Sequence, residues 1–172
     1  MPLAAVVLAA GASSRFGEPK QALLVPAVLE RVRAAGIDEV VVVLGAHEVE
    51  VDARTVRCPD WELGPGASLR CGLDVLTSEV EAAIVVLADG PELAPAAIER
   101  VVAAWRAAGA PLVAASYEGV RGHPFLAARS EWAEIPDEGL RAREPLLVPC
   151  DELGSPGDVD YPSDLPERFR PG

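Results

Sequence analysis

The chain has 172 residues, enough for one hydrophobic core in a single domain over 1–172, and half of them are apolar while only 5% are aromatic. Twenty-seven acidic against 15 basic residues leave a net charge of −12, which excludes nucleic acid as a partner, because that binding needs clustered Lys and Arg to displace counterions. No apolar run is long enough to span a membrane and Met1-Pro2-Leu3 has no basic leader, so a cytoplasmic location is expected, with the widely spaced Cys58, Cys71 and Cys150 as buried free thiols.

Leu3 to Ala9 reads as a first strand. Residues 27–35 read as a short helix with Val28, Leu29 and Val32 on one face and Gly36 at its C-terminus. Val40-Val41-Val42-Val43-Leu44 is an unbroken run that predicts a central strand covered on both faces. A short strand over 55–59 follows, and Gly64-Pro65-Gly66 breaks the chain ahead of a helix over 67–77. Ala83 to Ala88 predicts another buried strand that stops at Asp89-Gly90-Pro91. In 95–108 the period is clearest, with Ile98, Val101, Val102 and Trp105 on one helical face and Gly109 at the end. Strands over 111–116, 124–127 and 146–149, with helical pieces over 129–134 and 137–142, precede a proline-rich tail. The alternation predicts an α/β fold, a three-layer α/β/α sandwich with a mostly parallel sheet.

The stretch from Leu8 to Lys20 follows the first strand directly and holds the single lysine of the chain. A glycine-rich turn exposes backbone N–H groups, and with Arg15 and Lys20 beside them it suits the phosphates of a nucleotide. A turn that uses its glycines for conformation alone is the other reading of these residues. Spacing excludes two common phosphate loops. Five residues separate Gly11 from Gly17 and Gln21 follows Lys20, against the Gly-x-x-x-x-Gly-Lys-Ser/Thr pattern, and Ala12-Ser13 follows Gly11, against Gly-x-Gly-x-x-Gly.

In open α/β sheets ligands bind beyond the carboxyl ends of the strands, which brings Gly11 to Lys20 and Asp89 to one crevice. A carboxylate there can hold a magnesium ion together with substrate phosphates, and Asp89 lies too far from Pro95 to cap the helix that begins there. Further on, Asp158-Val159-Asp160 places both carboxylates on one side if extended. Asp158 also reads as a turn residue after Gly157, and Asp160 reads equally as a turn residue or a metal ligand.

The pattern from Leu8 to Lys20 resembles the opening motif, Leu-Ala-Ala-Gly-x-Ser-x-Arg-x-Gly-x-x-Lys, of the nucleotidyltransferase family of molybdenum cofactor biosynthesis, in its cytidylyltransferase-like branch. Further matches follow in order: Gly64 and Ser68-Leu69-Arg70 with Gly72, Ala88-Asp89-Gly90-Pro91, Arg121-Gly122-His123-Pro124, Asp137-Glu138-Gly139, and Asp158 to Leu165. The resemblance implies a Rossmann-like fold and transfer of a nucleoside monophosphate from an NTP to a phosphate-bearing acceptor such as molybdopterin, with release of pyrophosphate. It implies Leu8, Ala9, Ala10, Gly11, Arg15, Lys20, Gly64 and Ser68 as nucleotide contacts, Arg15, Lys20 and Asp89 as catalytic, Gly122 and His123 as acceptor contacts, and Asp89 with Asp160 as ligands of Mg2+. Within the family, Leu-Ala-Ala-Gly goes with cytidylyl enzymes, so Ala10 implies CTP. Transient contact with molybdenum enzymes or other cofactor-biosynthesis proteins is implied as well.

Three departures mark this chain. A short loop of the family is missing after Lys20, Pro65-Gly66-Ala67 stands where serines are usual, and Gly90 replaces a larger polar residue. They leave open GTP as donor, phospholactate or a sugar phosphate as acceptor, and a non-catalytic nucleotide-binding or cofactor-binding module.

Overall fold

The computed structural model describes residues 2–11 and 20–170. Its core is a seven-stranded sheet of β1 (Leu3–Ala9), β2 (Val40–Leu44), β3 (Arg54–Arg57), β4 (Ala82–Leu87), β5 (Leu112–Tyr117), β6 (Val120–Ala128) and β7 (Leu146–Pro149). The strand order is β3-β2-β1-β4-β6-β5-β7, and only β6 runs against its neighbours. Three α-helices cover it: α1 (Gln21–Ala34), α2 (Pro65–Asp74) and α3 (Pro95–Ala108).

The alternation of strand side chains sorts the core into two halves. Ala5, Val7, Val40, Val42, Ile84 and Val86 face α1 and α3, while Ala4, Val6, Val41, Val43, Ala83 and Val85 face α2. The valine-rich strands are therefore buried on both faces, and the layers are helix, sheet, helix, as expected. Gly72 lets α2 lie close on the sheet, because a Cβ there would meet Val6 at 2.6 Å and Val43 at 2.8 Å.

Several boundaries differ from the sequence reading for identifiable reasons. Helix α1 begins at Gln21 rather than 27 and carries Pro26 inside it. Proline has no N–H to give the preceding turn, but Val25, Val28 and Leu29 are buried against the sheet and Leu24 against Val159 and Leu165, and packing outweighs the missing bond. Helix α2 starts at Pro65, whose absent N–H costs nothing in a first turn, and ends at Asp74. Strand β6 starts at Val120, ahead of Gly122 and Pro124, because Glu118 and Gly119 both take positive φ (53° and 78°) and close a tight hairpin from β5. The helix expected over 137–142 is absent. Pro136 to Gly139 form a turn that instead presents the Asp137 carbonyl to Gly66 N–H at 2.7 Å. Residues 129–134 give only a 3-10 turn over Arg129–Glu131.

The cysteine expectation also changes. Cys58, at the end of β3, is joined to Cys71 on α2 as a disulfide, and only Cys150 is a free, buried thiol. No α-helix among the described residues is long and apolar enough to cross a membrane.

Candidate active site

Strands β1 and β4 are parallel neighbours in register, Leu8 opposite Leu87, and Ala88 N–H extends the ladder to the Leu8 carbonyl at 3.0 Å. The chain leaves both strands at one edge, so Ala10, Gly11 and Asp89 emerge together. Residues 12–19, and with them the expected phosphate contact Arg15, lie outside the described residues. The chain resumes at Lys20, whose carbonyl accepts the Leu24 N–H at 3.0 Å as the first bond of α1. The Gln21 side-chain amide donates to the Gly11 carbonyl at 2.8 Å and ties the start of α1 to the end of β1.

The third component comes from residues 155–160. The Glu92 N–H donates to the Pro156 carbonyl and the Val159 N–H to the Asp89 carbonyl, each at 2.9 Å. Val159 is buried with Leu24 and Leu165 in a small apolar cluster. These anchors draw the segment across the carboxyl end of β4. Gly90 follows from that crossing, since a Cβ there would stand 2.9 Å from Pro156. The segment therefore fills the space a larger residue would occupy.

As a result, Asp89, Asp158 and Asp160 bring carboxylate oxygens within 4.8 Å of one another. Lys20 is their neighbour: its Nζ donates to the Val159 carbonyl and stands 3.8 Å from both Asp89 Oδ2 and Asp160 Oδ1. Burial pushes the Asp89 carboxyl up to about 6; Lys20 opposes that rise, and Asp158 and Asp160 reinforce it. Asp89 Oδ1 is buried with no hydrogen-bond partner among the described residues. An orphaned carboxylate oxygen beside two more carboxylates is an all-oxygen donor set of the kind hard divalent cations take, and the residues fit such an ion. The sequence had offered Asp158 as a turn residue; the structure brings it into the group.

On the other side, β6 runs antiparallel to β4, so its opening residues Arg121, Gly122 and His123 lie beside the carboxyl end of β4. A Cβ on Gly122 would meet the Tyr117 ring at 2.9 Å, and the Tyr117 hydroxyl donates to the His123 carbonyl at 2.8 Å. Burial, with Arg121 adding to it, pulls His123 down to about 4. Its imidazole is thus neutral at pH 7, suited to hydrogen bonding rather than to carrying a charge.

Two clefts meet here. One, of about 660 Å³, is bordered by Asp89, Asp158, Asp160, Tyr117, Arg121 and His123. The other, of about 370 Å³, has apolar walls from Leu8, Pro65, Leu69, Leu87, Phe125 and Leu140. Leu87, Arg121, Gly122 and His123 border both. A smaller recess between Leu8, Ala9, Gly11, Lys20 and Asp89 joins the edge of β1.

Gly64 and Ser68 stand behind the apolar wall rather than on it. Gly64 (φ 138°) backs onto the Asp137 carbonyl, 2.4 Å from where a Cβ would lie, and Ser68 is buried at 4% exposure. Arg70 grips the same turn through the Ile135 carbonyl and the Asp137 carboxylate, both at 2.6 Å. Gly64 and Arg70 thus fix the N-terminus of α2, whose Pro65 and Leu69 form the wall. Arg121 was not singled out from the sequence; its signal was its place beside Gly122-His123.

Known proteins share this architecture. Nicotine blue oxidoreductase of Paenarthrobacter nicotinovorans is 32% identical over 142 residues, an alignment that takes in 70% of this chain and 68% of that protein. The crystal structure of the Rv0371c homologue from Mycobacterium sp. strain JC1 superposes with a TM-score of 0.77 at 27% identity, covering 94% of this chain and 92% of that one. The Rv0371c structure from Mycobacterium tuberculosis H37Rv, solved in complex with manganese, gives 0.74 at 28% identity, covering 95% and 96%. The model of the MobA-like NTP transferase domain matches residues 5–145. That match runs from β1 to the turn before β7 and takes in every wall of the crevice except the returning segment: the chain belongs to the MobA-like NTP transferase family and is a nucleotidyltransferase.

Proposed function

We propose that the protein, acting as a single domain, transfers CMP from CTP to a phosphate-bearing acceptor of the molybdopterin kind. The observation that carries this reading is the convergence of Asp89, Asp158 and Asp160 beside Lys20 where β1 and β4 end. Asp89 and Asp160, joined by Asp158, would hold Mg2+, and a divalent cation is in keeping with the Rv0371c structure, solved in complex with manganese. When bound, the ion supplies charge neutralisation to the NTP phosphates.

The residues of the chain do the positioning. The backbone at Ala10 and Gly11 with Lys20 orients the triphosphate, Arg15 adds a second cation, and Pro65 and Leu69 shape the neighbouring apolar cleft. A phosphate oxygen of the acceptor forms the new bond to the α-phosphorus, and the bond from that phosphorus to the bridging oxygen of the β-phosphate breaks, so pyrophosphate leaves with the electron pair. A phosphate monoester is mostly ionised at neutral pH, its second pKa being about 6, so no general base is needed. Gly122 and neutral His123 then line the acceptor side without exchanging a proton. Ala10 favours CTP over GTP, and an NTP-consuming reaction suits a cytoplasmic location.

A second reading comes from the relative named as an oxidoreductase. Both are tested by measuring pyrophosphate release from each of the four NTPs with Mg2+ and a panel of phosphate acceptors, alongside oxidation of NADH and NADPH. Release dependent on CTP and molybdopterin is expected. Turnover with another pair would replace donor or acceptor, and nicotinamide oxidation without pyrophosphate release would overturn the transferase reading.

A further inference from the structure

We propose that Arg121 binds the phosphate of the acceptor and holds it where the two clefts meet, an assignment that rests on the transferase reading above. In a chain with almost twice as many acidic as basic residues, a half-buried guanidinium without an acidic partner is unusual. Arg121 is such a group. Among the described residues no carboxylate lies within ion-pair distance of it, and burial pulls its pKa down while Glu144, farther off, only partly restores it. A partly desolvated cation with no carboxylate beside it is best completed by an anion.

The side chain is also oriented. Its Nη1 donates to the carbonyls of Leu140 at 3.2 Å and Arg143 at 2.9 Å, and the guanidinium carbon lies 5.6 Å from the centre of the Phe125 ring. Those contacts fix the plane of the fork through one nitrogen. Nε and Nη2 have no partner among the described residues, which leaves the donors that grip a phosphate in bidentate fashion. Lys20, whose side chain is 13% exposed, is already engaged by Asp89 and Asp160. Arg141, which borders only the apolar cleft, is exposed to water.

Among the described residues Arg121 is the only charged residue that borders both clefts. Transfer requires the acceptor phosphate to reach the α-phosphate, so the two substrates must touch at that junction. The larger cleft presents three carboxylates to any anion that enters it. Arg121 counters that repulsion for a phosphate monoester, and its two free nitrogens set the direction of approach.

The test is calorimetric titration of phenyl phosphate into protein loaded with Mn2+ and α,β-methylene-CTP, or the GTP analogue if that binds more tightly. Wild type is compared with Arg121→Lys and Arg121→Gln, and benzyl alcohol serves as the uncharged control. Expected are at least tenfold weaker phenyl phosphate binding in Arg121→Gln, an intermediate loss in Arg121→Lys, and nucleotide affinity within twofold of wild type in both. Unchanged phenyl phosphate binding in Arg121→Gln would overturn the assignment. So would a parallel loss of nucleotide binding and thermal stability, which would mark Arg121 as a pin for the 140–143 turn alone. If wild type binds the nucleotide analogue but no phenyl phosphate, the assignment fails while the transferase reading stands; if it binds neither, both fail.

Discussion

Replacing Asp89 by Asn should stabilise the metal-free protein, although it removes a central carboxylate of the site. Burial lifts the Asp89 carboxyl from 3.8 to about 6, and at 1.36 kcal/mol per pH unit ionising it in the folded state costs about 3 kcal/mol. The side chain is 26% exposed and its loss deprives Lys20 of one partner, so the net gain at pH 8 should be about 1–2 kcal/mol. For a chain of this size that is a rise of about 2–8 °C in Tm. The sign follows from proton counts: between about pH 4 and 6 the native state binds the proton more tightly than the unfolded state, so wild-type stability from this group falls as pH rises through that window. His123 works the other way, since its lowered value makes the native state bind fewer protons between about 4 and 6.5 and stability rise with pH. In wild type the two slopes oppose each other; in Asp89→Asn the histidine slope stands alone. Thermal unfolding of both proteins in EDTA from pH 4 to 8 measures this, and saturating Mn2+ should then raise only the wild-type Tm. A variant no more stable than wild type at pH 8, or with an advantage independent of pH, would refute the reasoning.

Lys20→Met leaves three carboxylates without their neutralising ammonium. The metal-free variant should lose about 1 kcal/mol and recover it on addition of Mn2+, read as a larger metal-induced Tm shift than in wild type; an unchanged shift would count against the carboxylate group as a metal site. The Cys58–Cys71 disulfide closes a separation of 13 residues around α2, and its reduction should cost about 2–3 kcal/mol. Thiol titration of the unfolded, unreduced protein should find one reactive cysteine, and three would show the bond to be absent.

Much of this architecture is written locally, and the site only in part. The runs in β1, β2 and β4 and the period of α3 are set by neighbours in sequence, which is why their limits agree to within a residue. Pro26 and the Gly122–Pro124 segment misled because both are breakers by local chemistry, and the packing of α1 and the short hairpin before β6 override them. The disulfide depends on α2 lying beside the end of β3, a tertiary fact that cysteine spacing does not encode. Asp89 and Lys20 were legible because strand ends in such sheets converge by topology. Asp158 reads locally as a turn residue beside the candidate Asp160, and Arg121 only as the neighbour of Gly122-His123, since the first reaches the crevice through the returning segment and the second through the reversal of β6.

The return of residues 155–160 across the end of β4 makes the carboxylate group depend on a part of the chain outside the sheet. The sheet and its helices are complete at Pro149, yet two of the three carboxylates arrive only afterwards. Without that segment Lys20 would stand beside Asp89 alone, and the carboxylate group would be incomplete. That segment is held through Val159, Pro156 and a small apolar cluster rather than by the sheet. Substitutions at Asp158 and Asp160 would alter the carboxylate group while leaving the buried contacts of Val159 and Leu165 with Leu24 in place.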